Sequence, residues 1–200
     1  MTAPVIAPSR LTPLYLLLTA GLALSFAACG RGAAPETQGV DTGLERVDPS
    51  IEAEQISWRD LMPDDELDAL EALNEGRADP SLMSRFTGSS PVENQIGTFN
   101  VVEDLAGAVV RMPGYILPLD YAQQGSAREF LLLPYHGACV HYPPPPPNQI
   151  VYLRSPDPIE YSSLWEPVWV EGRMEIERVD TELAAAAYTL IVRSVSEYQP

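Results

Sequence analysis

The sequence predicts a mainly β protein, a small antiparallel barrel that follows a short helical segment. From residue 99 onward, apolar and β-rich runs alternate with turns rich in Gly, Pro, Asp and Ser. About five such runs at short spacing are typical of an antiparallel barrel or sandwich. Glycines inside the runs fall where bulges and barrel corners are expected. Five strands over about a hundred residues favour an OB-like barrel over an immunoglobulin sandwich.

The predicted barrel domain covers residues 96–198. Its first strand, AVVRMPGYILPL, is expected to be interrupted at Pro113-Gly114, because proline donates no backbone hydrogen bond. Three further strands are predicted at REFLLLPY, NQIVYLRS and PVWVEGRMEIE. The last lies in ELAAAAYTLIVRSVSEY, whose alanines could start a helix, so this strand is expected to begin near Tyr188.

A helical segment and a connection are predicted over residues 57–95. Pro63 followed by three acidic residues favours a helix start, because carboxylates stabilise the positive end of a helix. Gly76 is typical of a helix end. We therefore predict a helix over residues 63–75. Three leucines recur at three-residue spacing and are expected to form its apolar stripe: Leu67, Leu70 and Leu73.

Residues 1–28 are predicted to be a bacterial lipoprotein signal peptide. The run LTPLYLLLTAGLALSF is too short and too interrupted by proline for a membrane span, and small residues precede Cys29. In such a signal the chain is cut before the cysteine, whose thiol then carries lipid. The alternatives are an uncleaved membrane anchor and a plain secretory signal. Gly30 after the cysteine favours the outer membrane, so we expect a lipid-anchored protein that faces the periplasm.

Residues 29–56 are predicted to be a flexible tether, because they are small, polar and aperiodic. The whole chain is acidic, with a formal charge of −16, and all 12 of its basic residues are arginine. Signal cleavage would remove one positive charge, Arg10, and lower the formal charge to −17. An acidic chain is repelled by nucleic acid, so nucleic-acid binding is excluded.

The segment LPYHGACVHYPPPPPNQI, residues 133–150, holds both histidines and one of the two cysteines. Its pattern His136-x-x-Cys139-x-His141 offers up to three ligands, and thiolate with imidazole suits zinc or copper(I). If residues 138–142 are extended, Cys139 and His141 face the same side. His136 can then fold back across the Gly137 turn.

Two alternatives remain open for these residues. Cys139 can be buried packing, since free cysteine is among the most buried residue types. It can also be a reactive thiol beside an imidazole, because a lowered pKa would activate it. Acyl transfer needs an oriented base and an oxyanion site as well. No such arrangement is evident, so we name no catalytic residue.

Five consecutive prolines stiffen the exit from this segment. They are expected to form a polyproline II rod of about 15 Å without backbone donors. The rod is either a rigid loop between strands or a docking ridge, and Asn148 and Gln149 can cap its end by bonding to the backbone. The prolines are Pro143, Pro144, Pro145, Pro146 and Pro147.

The stretches VRMPGYILPLD, FLLLPYHGACVHYPPPPPNQIVY and PVWVEGRM resemble the bacterial lipoprotein family catalogued as domain of unknown function 3299. The resemblance covers about residues 95–198, and its specific part is the segment from Cys139 and His141 through the prolines to Asn148 and Gln149. It implies an exported protein or lipoprotein. The genes of some members have a setting similar to zinc-responsive operons that encode an ABC-type permease. The resemblance therefore implies an accessory role and no known activity.

Together these observations predict a non-enzymatic lipoprotein that faces the periplasm. It is expected to bind a transition metal, zinc or copper(I), through Cys139, His141 and His136, or to serve a transport complex such as an ABC-type permease. The alternative is a protein-interaction module without metal, and a thiol-dependent enzyme is the third class.

Overall fold

A computed structural model gives the structure of the chain. The predicted signal peptide, Cys29 and much of the tether lie outside the residues that it describes, so lipidation and membrane anchoring stay predictions. The described residues are 43–77, 95–119, 125–140, 144–161 and 163–199. Within these ranges, no helix has both the length and the apolar character that a membrane span requires.

The helices and strands follow in chain order. The first are a two-residue strand, β1 (Glu54–Gln55), and a helix, α1 (Asp64–Asn74). The later strands are β2 Val109–Pro118, β3 Ser126–Leu133, β4 Val151–Glu160, β5 Val168–Glu175, β6 Val179–Asp180, β7 Ala185–Ala186 and β8 Tyr188–Glu197. Short 3-10 helices occur at Trp58–Leu61, Glu103–Leu105 and Pro147–Gln149.

Five of the strands close into a barrel, which confirms the predicted mainly β fold. The strands are neighbours in the order β2, β3, β4, β8, β5, and β2 also pairs with β5. The β4–β8 pair is parallel, and the other pairs of the barrel are antiparallel. β1 adds to β2 in parallel. The strand β8 begins at Tyr188 as predicted, and the alanines before it form β7, which pairs with β6 and is not helical.

The predicted interruption at Pro113-Gly114 is wrong, because β2 continues through both residues. The strand changes partner at this point. Residues 109–114 pair with β5, and residues 115–118 pair with β3. The carbonyl oxygen of Pro113 accepts a hydrogen bond of 2.8 Å from the indole N–H of Trp58. A Cβ on Gly114 would lie 2.9 Å from the carbonyl oxygen of Leu133, so the crossing requires glycine.

The helix α1 lies at its predicted position, and one of its buried residues carries a charge. α1 spans Asp64–Asn74, and Gly76 follows it in the left-handed conformation, with φ of +68°. Of the predicted leucine stripe, Leu67 is half-buried, and the side chain of Leu73 is not described. Leu70 is exposed, whereas Glu66 and Ala69 are buried. A carboxylate therefore faces the interior, and its partners come from far along the chain.

The barrel interior is filled by apolar side chains from all five barrel strands. The 3-10 helix before α1 adds to this core, because Leu61 is fully buried and Trp58 packs against the same cluster. The interior residues with no exposed surface include Val110, Met112, Phe130, Leu132, Leu153, Val170, Met174 and Leu190.

Candidate functional site

Glu66 is the centre of a buried polar network that joins the helix to the proline loop. The amide nitrogen Nδ2 of Asn148 donates to Oε2 of Glu66 at 2.8 Å and to the carbonyl oxygen of Asn100 at 3.1 Å. The other carboxylate oxygen accepts from Nδ2 of Asn100 at 2.6 Å and from the hydroxyl of Thr98. We call these four residues the Glu66 network. Neutral donors satisfy both oxygens, which is what a buried carboxylate requires.

Two glutamines fix the ends of the same loop. Gln149 donates from Nε2 to the carbonyl oxygen of Trp58 at 3.0 Å. Gln95 donates to the carbonyl oxygens of Pro145 and Ala185, at 2.9 and 2.8 Å, and accepts from the Ala185 N–H at 2.9 Å. Each amide bonds to backbone that lies about 50 residues or more away in sequence, so the loop is tied to the barrel and to the segment before α1.

The described prolines of this loop are buried or half-buried. Pro146 has φ of −50° and ψ of 146°, close to polyproline II, but Pro147 already begins the 3-10 helix. A Cβ on Gly97 would lie 2.5 Å from the Cβ of Pro146, so this close approach requires glycine. Pro147 therefore does not belong to the predicted rod. Pro143 lies outside the described residues, and a docking role for the loop stays a prediction.

The extended geometry considered for residues 138–142 fails in the part that is described, residues 138–140. Cys139 adopts the left-handed conformation, with φ of +63°, and Gly137 has φ of +79°. The N–H of Val140 donates to the carbonyl oxygen of Gly137 at 3.4 Å, which closes a turn. The same-face argument for Cys139 and His141 therefore does not apply, and His141 itself lies outside the described part of the chain.

Cys139 is a half-buried free thiol. It packs against an apolar cluster that includes Leu117, Leu131 and Ile150. Burial raises the pKa of the Cys139 thiol to about 11, because the apolar surroundings disfavour the thiolate. The thiol is therefore protonated at neutral pH, and it is a poor nucleophile unless a cation stabilises its charged form.

His136 takes part in an aromatic contact that sequence analysis did not find. Its ring centroid lies 4.5 Å from that of Trp165, with an angle of 39° between the planes. The ring of Tyr115 approaches it edge-on at 5.7 Å. We call these three residues the aromatic patch. Trp165 is 65% exposed and lies in the loop between β4 and β5. The only signal in the sequence that could have pointed to Trp165 is its place in the loop segment SSLWEP.

Further exposed apolar side chains lie on the loop that carries His136. Val140 is 58% exposed and Tyr135 is 44% exposed. Tyr115 lies opposite Leu133 in the β2–β3 register, at the point where β3 leads into this loop. The topology thus brings together side chains from β2, the β3–β4 loop and the β4–β5 loop.

The predicted metal ligands are only partly described. Across the described ranges, no group of three or more His, Cys, Asp or Glu side chains is arranged to hold a metal ion. The predicted set needs His141, on which the structure gives no information, so the metal site stays a prediction. The described geometry supports binding through exposed rings more directly than it supports chemistry at a thiol.

Comparison with known proteins assigns the family. The model of the family described as "Protein of unknown function (DUF3299)" matches residues 58–197. The chain is similar to a DUF3299 family protein from Pseudomonas aeruginosa PAO1 whose crystal structure is known, at 33% sequence identity and a TM-score of 0.56. That similarity covers 74% of this chain and 98% of the other. No curated protein matches. With more than half of its length matched, the chain belongs to the DUF3299 family.

Proposed function

We propose that this chain is a non-enzymatic accessory protein that binds a partner protein through the aromatic patch. The observation that carries the proposal is the exposed Trp165 stacked on His136. Tryptophan and tyrosine are enriched where proteins bind one another, because they offer a large contact area at low entropic cost. The proposal also includes lipid attachment at Cys29. The lipid would anchor the protein to a membrane, with the outer membrane favoured, so that the protein faces the periplasm.

The barrel is proposed to be of the OB type. Counted along the chain, its strands neighbour one another in the order 1-2-3-5-4 and close back on strand 1, with strands 3 and 5 parallel. This order supports the OB assignment, since OB folds are five-stranded Greek-key barrels whose loops form binding surfaces. The aromatic patch uses two of the interstrand loops.

The partner is proposed to be a subunit of a transport complex such as an ABC-type permease. This part rests on the family resemblance. The raised pKa of Cys139 argues against the thiol-dependent enzyme, because such an enzyme needs an accessible thiolate near neutral pH. Aromatic binding surfaces need a rigid support, since ordering a mobile loop would cost affinity. The strand β2 supplies part of that support, because it carries Tyr115 of the aromatic patch.

Site-specific photo-crosslinking in cells tests the proposal. A photoreactive phenylalanine analogue at Val140 is expected to give one discrete adduct with a permease subunit, identified by mass spectrometry. The same analogue at Glu71, exposed on α1, is the control and is expected to give none. Trp165→Ala should abolish the Val140 adduct. An adduct that survives Trp165→Ala, or equal adducts from both positions, would contradict the proposal.

A transition-metal site is the second candidate function. The observation that favours it is the left-handed backbone of Cys139, since non-glycine residues in this conformation are uncommon and cluster at functional sites. Zinc or copper(I) bound by Cys139, His141 and His136 would also bring the thiol pKa down. Metal titration tests this candidate separately from the crosslinking.

A further inference from the structure

A groove opens on the barrel wall where β4 and β8 stop pairing. The two strands pair only over residues 151–154 and 188–191. Beyond them, residues 155–160 and 192–197 line opposite sides of a groove of about 1060 Å³. β8 stays paired with β5 as far as Glu197. Its other edge, along residues 192–197, has no strand partner among the described residues.

The two sides of the groove differ in their hydrogen-bonding capacity. On the β4 side, Pro156 and Pro158 have no N–H to donate, so that side is poor in donors. On the β8 side, residues 192–197 contain no proline, and the alternate backbone groups that do not bond to β5 are directed to the unpaired edge. Unpaired strand edges accept an additional strand in many peptide complexes.

The charges of the groove are predominantly negative. Its two arginines are already bound, because Arg46 forms an ion pair with Asp157 and Arg193 forms one with Glu171. Arg193 also donates to the carbonyl oxygens of Asp48 and Ile51, each at 2.8 Å. Three exposed carboxylates that line the groove have no ion-pair partner within the described residues. They are Glu160, Glu166 and Glu197.

The floor of the groove is apolar. Ile116, Val168, Val192 and Val195 line it. In an extended peptide, successive side chains point to opposite faces. Apolar residues would therefore face this floor, while the residues between them would face the rim of carboxylates.

We infer that the groove binds an extended, basic segment of a partner polypeptide, which adds as a strand to the free edge of β8. The unpaired backbone supplies hydrogen bonds, the apolar floor takes every second side chain, and the carboxylates attract lysine or arginine. This surface is distinct from the aromatic patch, so the inference goes beyond the proposed function and does not depend on it.

The probe is a fluorescent peptide of about ten residues that alternates lysine and valine, long enough to span a typical strand. It is titrated with the full chain in detergent and followed by fluorescence anisotropy. The matched peptide of glutamate and valine is expected not to bind. Two further versions of the basic peptide are N-methylated on the backbone, one at every lysine and the other at every valine. Each version lacks the N–H donors along one edge of the peptide strand, and at least one of them is expected to lose binding.

Variants of the chain test the charges. Glu160→Gln, Glu166→Gln and Glu197→Gln together are expected to weaken binding about tenfold, from three exposed charge pairs. The control changes three exposed acids away from the groove, Glu52→Gln, Glu71→Gln and Glu182→Gln, and is expected to bind as the parent does.

Four results would overturn the inference. They are no binding of the basic peptide, equal binding of the acidic peptide, undiminished binding of both N-methylated peptides, and equal weakening in the two triple variants. Trp165→Ala is expected to bind the peptide normally. The crosslinking experiment therefore tests the aromatic patch, and the peptide titration tests the groove, so that either one can fail without the other.

Discussion

Asn148→Asp tests whether the Glu66 network stabilises the protein by joining the helix to the proline loop. The side chain of Asn148 is 1% exposed, and its nitrogen is the group that faces Glu66. Its oxygen Oδ1 accepts no hydrogen bond from any described residue. The substitution keeps the shape of the side chain but replaces the donor by an oxygen that bears charge. Two carboxylates would then meet where the structure has a hydrogen bond of 2.8 Å.

The cost follows from two effects. A hydrogen bond to a charged group contributes about 1.5–3 kcal/mol, and removing one partner of a buried ion pair, which likewise leaves a buried charge unopposed, costs about 3–5 kcal/mol. The two ranges describe partly the same interaction and are not added together, so we expect a loss of about 4 kcal/mol in the free energy of unfolding. That is a large part of the total of about 5–15 kcal/mol typical of a small domain.

Urea unfolding, followed by the fluorescence of the three tryptophans, measures the loss. The control is the reciprocal double variant, Glu66→Gln with Asn148→Asp. There the new amide donates to the new carboxylate, so we expect the double variant to recover part of the loss. The recovery is not complete, because the carbonyl oxygen of Asn100 loses its donor in both variants. A single variant that loses less than about 1 kcal/mol, or a double variant no more stable than the single one, would refute the role of the network.

The remaining predictions concern the two cysteines. Cys29→Ala is expected to release the protein from the membrane into the soluble periplasm, and unchanged fractionation would contradict lipidation. In Cys29→Ser, iodoacetamide should alkylate native Cys139 at pH 8 about 100-fold more slowly than the urea-unfolded chain, because burial raises the thiol pKa from 9.0 to about 11. The native rate should rise about tenfold per pH unit up to that value, and a rate that is level above pH 9 would contradict the burial effect. Titration with zinc should show binding to the parent protein, and the double variant Cys139→Ser with His141→Ala should not bind zinc. Zinc binding should also weaken as the pH falls through about 6.5. Tight binding by that double variant would end the metal hypothesis.

Patterns among neighbouring residues predicted the helix and the strands. Contacts between residues that are distant in sequence determine which side chains are buried and which strands pair. The strand pattern and the acidic helix start depend on neighbours a few residues apart, so the barrel strands and α1 were found. The burial of Glu66 depends on Asn148, 82 residues away, and no periodicity within the helix could indicate it. The continuity of β2 through Pro113 depends on a change of partner strand. The left-handed turn at Cys139 was missed because non-glycine residues rarely adopt it.

The segment from His136 to Gln149 divides into residues that hold the fold and residues that face outward. Asn148 and Gln149 direct their amides inward, to a carboxylate and to the backbone of Trp58. Cys139 packs into an apolar cluster, whereas the ring of His136 lies under the exposed Trp165. The amides of Asn148 and Gln149 therefore have a physical purpose that needs no metal and no reactive thiol, because they hold the end of the proline loop to α1 and to the 3-10 helix before it.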